Sequence, residues 1–166
     1  GWTVSFVQGG PQLPASITVD SLGSWTDFVG DEYKAFSGTA VYTTTINKVP
    51  VADVIKLDLG SVAENASVYL NGDYIGTVID SPYQLYIPAE KFKGQDELVV
   101  RVANSMANRI AYMDKKGVDW KIFYNVNMSA RKKENVKNGI FDASDWEPKS
   151  SGLLGPVTLT PAMVKQ

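Results

Sequence analysis

Hydrophobic and polar positions alternate in short runs through the first hundred residues, which predicts β-strands rather than helices. Trp2-Thr3-Val4-Ser5-Phe6 alternates large apolar with small polar residues and stops at Gly9-Gly10-Pro11. Residues 38–46 are dense in β-branched and aromatic side chains, which fit a pleated surface better than a helix. In the run 54–59, Ile55, Leu57 and Leu59 would face a core while Lys56 and Asp58 face water. Residues 68–76 read as a hairpin, because Asn71-Gly72 supplies the positive φ values that a two-residue turn requires. Further strands are expected at 83–87, at 98–102 with Leu98, Val100 and Val102 inward, and at 157–160 between Pro156 and Pro161. Strands without intervening helices imply antiparallel sheets, so the expected fold is an all-β sandwich.

The segment from Asn104 to Leu154 breaks this rhythm. It is rich in Asn, Lys, Trp and Tyr but has no clean strand pattern. Connections much longer than about 12–15 residues are usually functional or disordered. The aromatic stretch Trp120-Lys121-Ile122-Phe123-Tyr124 argues against disorder. Arg131-Lys132-Lys133-Glu134-Asn135 reads as a helical turn or as a solvated loop tip.

Composition narrows the chemistry. The 166 residues suit one domain, expected to occupy the whole of 1–166. Sixteen basic against eighteen acidic residues give a net charge of -2, without the basic surplus of a nucleic-acid binder. There is no His and no Cys, which excludes Ser-His-Asp and Cys-His catalysis, disulfides and thiolate-bound metals. No apolar run approaches the roughly 18–20 residues that span a bilayer, so no membrane partner is expected. The chain opens mid-pattern on Gly1-Trp2 without a charged-then-apolar leader, as a piece excised from a larger protein would.

Four segments resemble the sugar-binding jelly roll of glycoside hydrolase family 2. They are residues 36–42 (a G-x-A-x-Y strand), 68–77 (a V-x-L-N-G hairpin), 97–104 (an L-x-V-x-V-x-N strand) and 151–159 (a closing S-G-[IL]-x-G-x-V-x-L strand). With Phe6-Val7-Gln8-Gly9-Gly10-Pro11, Leu22-Gly23-Ser24-Trp25-Thr26, residues 104–110 and 123–127, the chain is also similar to the C-terminal β-sandwich of family 106, the α-L-rhamnosidases. The resemblance implies a galactose-binding-like jelly roll, accessory to a multidomain hydrolase whose catalytic carboxylates lie on a separate (β/α)8 barrel. Such a barrel needs about 250 residues and cannot fit here. The implied partners are that catalytic domain and a rhamnose- or galactose-containing polysaccharide, with a secreted or periplasmic parent. Such folds often carry a structural calcium, but no EF-hand-like loop is present, so calcium stays open and unassigned.

Carbohydrate recognition pairs an aromatic face with amide, carboxylate or guanidinium groups for the hydroxyls. Asn104, Asn108, Arg109, Tyr112, Asp114, Trp120, Tyr124 and Asn125, with Asp119 beside them, supply both kinds in the long segment. They form either a sugar-contact cluster or, in the preferred reading, a structural cover over the end of the sandwich, with Asn104 and Asn108 bonding loop backbone. Asp142, Asp145 and Glu147 around Trp146 could be glycosidase carboxylates; a solvated turn is preferred, so no catalytic residue is assigned. Trp2 is expected in the core, while Trp25 and Trp146 fit either core or surface.

Overall fold

A computed structural model describes residues 1–122 and 132–162. The larger sheet is six-stranded and antiparallel, in the order β2-β1-β3-β9-β6-β7. Its strands are β1 (Trp2–Gly10), β2 (Ile17–Val19), β3 (Ser37–Ile46), β6 (Asn65–Leu70), β7 (Asp73–Val78) and β9 (Asp96–Ala103). The second layer is built on β4 (Val54–Asp58), paired with β8 (Gln84–Pro88) and β13 (Thr158–Pro161). It continues through β5 (Ser61–Ala63) paired with β12 (Gly152–Gly155), across a bridge between Gly60 and Gly155. The fold is the expected all-β sandwich.

Alternation is what builds the core. Val4 and Phe6 of β1, Ala40 and Tyr42 of β3, and Leu98, Val100 and Val102 of β9 point inward and are buried. Ile55, Leu57 and Leu59 answer them from the second layer, each with no exposed surface. Lys56 and Asp58 occupy the other face and are half-buried. Trp25 is fully buried and meets Phe6 and Phe36 edge-to-face at 5.6 Å each. It is therefore a core plug, although its indole N–H finds no acceptor among the described residues. Trp2 packs against the core only partly buried. The hairpin turn lies where expected, with Asn71 at φ 51° and Gly72 at φ 85°.

The long segment holds more regular structure than its sequence suggests. It contains α2 (Ala107–Lys115), a 3-10 turn at Lys133–Asn135 and a small hairpin of β10 (Val136–Lys137) and β11 (Ile140–Phe141), before β12. A short α1 (Asp31–Ala35) precedes β3. No helix among the described residues is long and apolar enough to cross a membrane.

Candidate functional site

Two faces of α2 do different work, because residues three and four apart share a side of a helix. One face fastens the segment to the sandwich and to a satellite core. Ile110, Trp120 and Trp146 pack there around the buried Phe141 and Ala143. Asp114, whose side chain is fully buried, is the hub of that cluster. Its Oδ1 accepts from the indole N–H of Trp120 at 2.7 Å and from Lys121 Nζ at 2.5 Å, and its Oδ2 accepts from the backbone N–H of Ala143 at 2.8 Å.

The asparagines are equally committed. Asn104 accepts from the Gly38 amide at 2.8 Å and donates to Phe36 O at 3.1 Å and Ser151 Oγ at 2.9 Å. Asn108 donates to Lys149 O at 2.9 Å and accepts from the Lys149 amide at 2.7 Å. Ser151 carries the seam onward, its amide donating to Ser24 Oγ at 2.9 Å. Buried polar groups need such partners. Asn104, Asn108 and Asp114 are thus spent on the protein's own backbone and side chains. Arg109 lies over Gly10, where an added Cβ would stand 2.7 Å from its terminal nitrogen, and its Nε is buried without a partner among the described residues. Asp119 is exposed. Tyr124 and Asn125, like Phe123, lie outside the described residues.

The other face of α2 opens onto a cleft of about 760 Å3, bounded by α1 and residues 144–148. Tyr112 and Lys115 line it from α2, Asp31 and Lys34 from α1, and Trp146 and Glu147 from the loop. Tyr112 also borders a smaller adjoining cleft of about 180 Å3. Of the described residues singled out in the sequence as sugar contacts, only Asn108 and Tyr112 reach the large cleft. The α1 contribution went unforeseen, since five residues leave no helical periodicity to read; its acidic start and Lys34 in its last turn are the only signal.

The acidic loop has little of a glycosidase pair. Asp142 Oδ1 accepts from the Ser144 hydroxyl at 2.5 Å and its amide at 3.0 Å, and sits 3.3 Å from Lys137 Nζ. The Ser144 bond, helped by Lys137, outweighs burial and holds the carboxyl below the ordinary carboxylate range. A general acid needs the opposite shift. Asp145 pairs with the same lysine at 3.1 Å. Among the described residues no three acidic side chains converge as a metal site would require, so these residues do not fit a carboxylate-rich calcium site.

No protein-family model matches the chain. A Formosa agariphila protein assigned as a β-glucuronidase is 34% identical over 158 aligned residues, which cover 86% of this chain and 14% of that protein. Among solved structures, a rhamnosidase from Novosphingobium sp. PP1Y is 30% identical with a TM-score of 0.75, covering 95% of this chain and 14% of that one. A GH2 β-galacturonidase from Eisenbergiella tayi, 20% identical with a TM-score of 0.50 over 63% of this chain, shares the fold alone. The chain spans only 14% of the length of the first two. Its likeness is to a small sandwich within glycoside hydrolases, and the resemblance to an accessory domain of such enzymes is borne out.

Proposed function

We propose that the chain is a single, non-catalytic accessory domain of a glycoside hydrolase, bracing a catalytic barrel and helping to shape its substrate cleft. The observation that carries this reading is the match along 95% of this chain to only 14% of a rhamnosidase. The internal commitment of Asn104, Asn108 and Asp114 supports it, since their polar atoms are spent on the domain's own backbone and side chains. An α-L-rhamnosidase parent is the finer proposal, resting on that same neighbour, and a β-glucuronidase parent is its competitor through the Formosa agariphila relative. The exposed apolar residues Val29, Val51, Ile79 and Ile122 stand in four separate connections and do not by themselves define a docking face.

The test is direct. The 166-residue chain is incubated with aryl α-L-rhamnoside and aryl β-glucuronide, and no turnover is expected. Hydrolysis that disappears with Asp145→Asn would make the chain an enzyme and end this reading. An autonomous carbohydrate-binding module is the second reading, favoured by the cleft beside Tyr112.

A further inference from the structure

We propose that the outward face of the six-stranded sheet is where this domain seats against the remainder of its parent polypeptide. The inference rests on the accessory-domain reading and names the surface which that reading leaves open. Strand register lays the face out in rows. Ser5, Val41, Arg101, Ser67 and Thr77 follow one another across five strands. Beside them run Thr18, Thr3, Thr43, Val99, Tyr69 and Tyr74, across all six. Gln8, Thr39, Ala103 and Asn65 make a third row. Arg101 is the only charged side chain in the three. By contrast, the outward side of β4 carries Lys56 and Asp58, and the cleft beside α2 is ringed with charges.

The polar groups that remain there largely satisfy one another. The Ser67 and Thr77 hydroxyls lie 2.7 Å apart, Thr77 and Tyr74 2.9 Å, and Ser16 donates to Ser5 at 3.1 Å. Hydroxyls already bonded within the protein cost less to strip of water. The Tyr69 and Tyr74 rings pack at 5.5 Å, and Val41, Thr43 and Val99 are half-buried by their neighbours. A surface poor in Lys, Asp and Glu that presents Tyr and Arg has the composition of an interface core.

Size and charge select the occupant. Strands stand about 4.8 Å apart, so the rows cover roughly 400–500 Å2, or roughly 800–1,000 Å2 counted over both sides. That falls within the roughly 600–1,500 Å2 of contacts between domains of one chain. It falls short of the roughly 1,200–2,000 Å2 of a stable complex between separate chains. Both relatives hold this sandwich within a much longer chain, of which it spans 14%. A tethered partner needs less contact, because the tether keeps its effective concentration high. Arg101 is exposed and has no carboxylate partner among the described residues. A second copy docked through this same face would offer it none, since the three rows hold no acid. The partner surface is therefore flat and largely uncharged, with one carboxylate opposite Arg101.

The experiment places the photo-crosslinker p-benzoylphenylalanine at Thr43, at Tyr74 or at Tyr86 of the full-length polypeptide and maps the products by mass spectrometry. Tyr86, 62% exposed on the outward side of the second layer, is the control. Thr43 and Tyr74 should crosslink to residues of the same polypeptide outside 1–166, and Tyr86 should not. Crosslinks to that remainder from Tyr86 alone would overturn this face and leave the accessory role standing. None from any of the three would overturn both. Products that join two polypeptides through Thr43 or Tyr74 would assign the face to a second copy and overturn the proposal. In the same polypeptide, Arg101→Glu should lower the domain's melting transition by more than about 2 °C, the most that a solvated position would move it. A smaller shift would overturn the carboxylate opposite Arg101.

Discussion

The side chain of Asn108 forms a two-bond clasp on the backbone of Lys149, donating to its carbonyl at 2.9 Å and accepting from its amide at 2.7 Å. Forty-one residues separate the two. The clasp joins the start of α2 to the residues just ahead of β12. Asn108 is only 5% exposed, and truncating it would strand two backbone groups. Each buried unsatisfied group costs about 1–3 kcal/mol, so Asn108→Ala should lower stability by roughly 2–4 kcal/mol in urea unfolding. Asn108→Asp should do no better, because a carboxylate accepts from the Lys149 amide but repels its carbonyl.

Asp114 makes a more local prediction. Asp114→Ala removes the acceptor for Trp120, Lys121 and Ala143 together. Breaking a buried charged network typically costs about 3–5 kcal/mol. The loss should fall on the satellite core: amide exchange at Ala143 should accelerate strongly, while Val100 in the centre of the six-stranded sheet keeps its protection. Equal acceleration at both sites would mean that the two cores unfold together.

The strands were legible because each has one wet and one dry face, so period-two alternation survives at Val4 and Phe6 and at Ile55 and Leu57. Helix α2 was not, because its two faces are a polar cleft wall and a small satellite core, which leave no apolar stripe along Asn108, Tyr112 and Lys115. The β10–β11 hairpin carries a readable signal in Asn138-Gly139, with φ 52° and 78°, the same dipeptide that marked residues 71–72. Its strands of two residues each are too short to show alternation. The structural use of Asn104 and Asn108 was readable as one of two alternatives. Their shared partner Ser151 was not, since sequence does not bring residues so far apart together.

Acid sensitivity should trace in part to Asp96, which is 1% exposed. Burial opposes its charge, but hydrogen bonds from Asn71 at 2.7 Å and from the Lys93 and Gly94 amides prevail and lower its pKa below the ordinary 3.8. A carboxyl depressed in the folded state stabilises above its unfolded pKa and loses that contribution as pH falls through the folded value. Stability should therefore fall below about pH 4. Asp96→Asn should be less stable than the parent at pH 7 and show a shallower loss between pH 4 and 2, as chemical denaturation across that range would reveal.

Two glycines with positive φ separate backbone strain from lack of room. Gly72, at φ 85°, has nothing within 4 Å of an added Cβ, so Gly72→Ala should cost only the left-handed strain, roughly 1–2 kcal/mol. At Gly152, φ 107°, the same Cβ would strike the Tyr42 hydroxyl and come within 2.8 Å of the Trp25 ring. Overpacking adds to the strain there, and Gly152→Ala should lose roughly 2–5 kcal/mol. Thermal melts of the two variants should rank them in that order.

The bracing role is tested most directly in the full-length polypeptide that carries this chain, by comparing it with a version from which residues 1–166 are deleted. A lower melting temperature and reduced kcat/KM on an aryl glycoside are expected, with the catalytic residues intact. Unchanged melting and unchanged turnover after the deletion would contradict it.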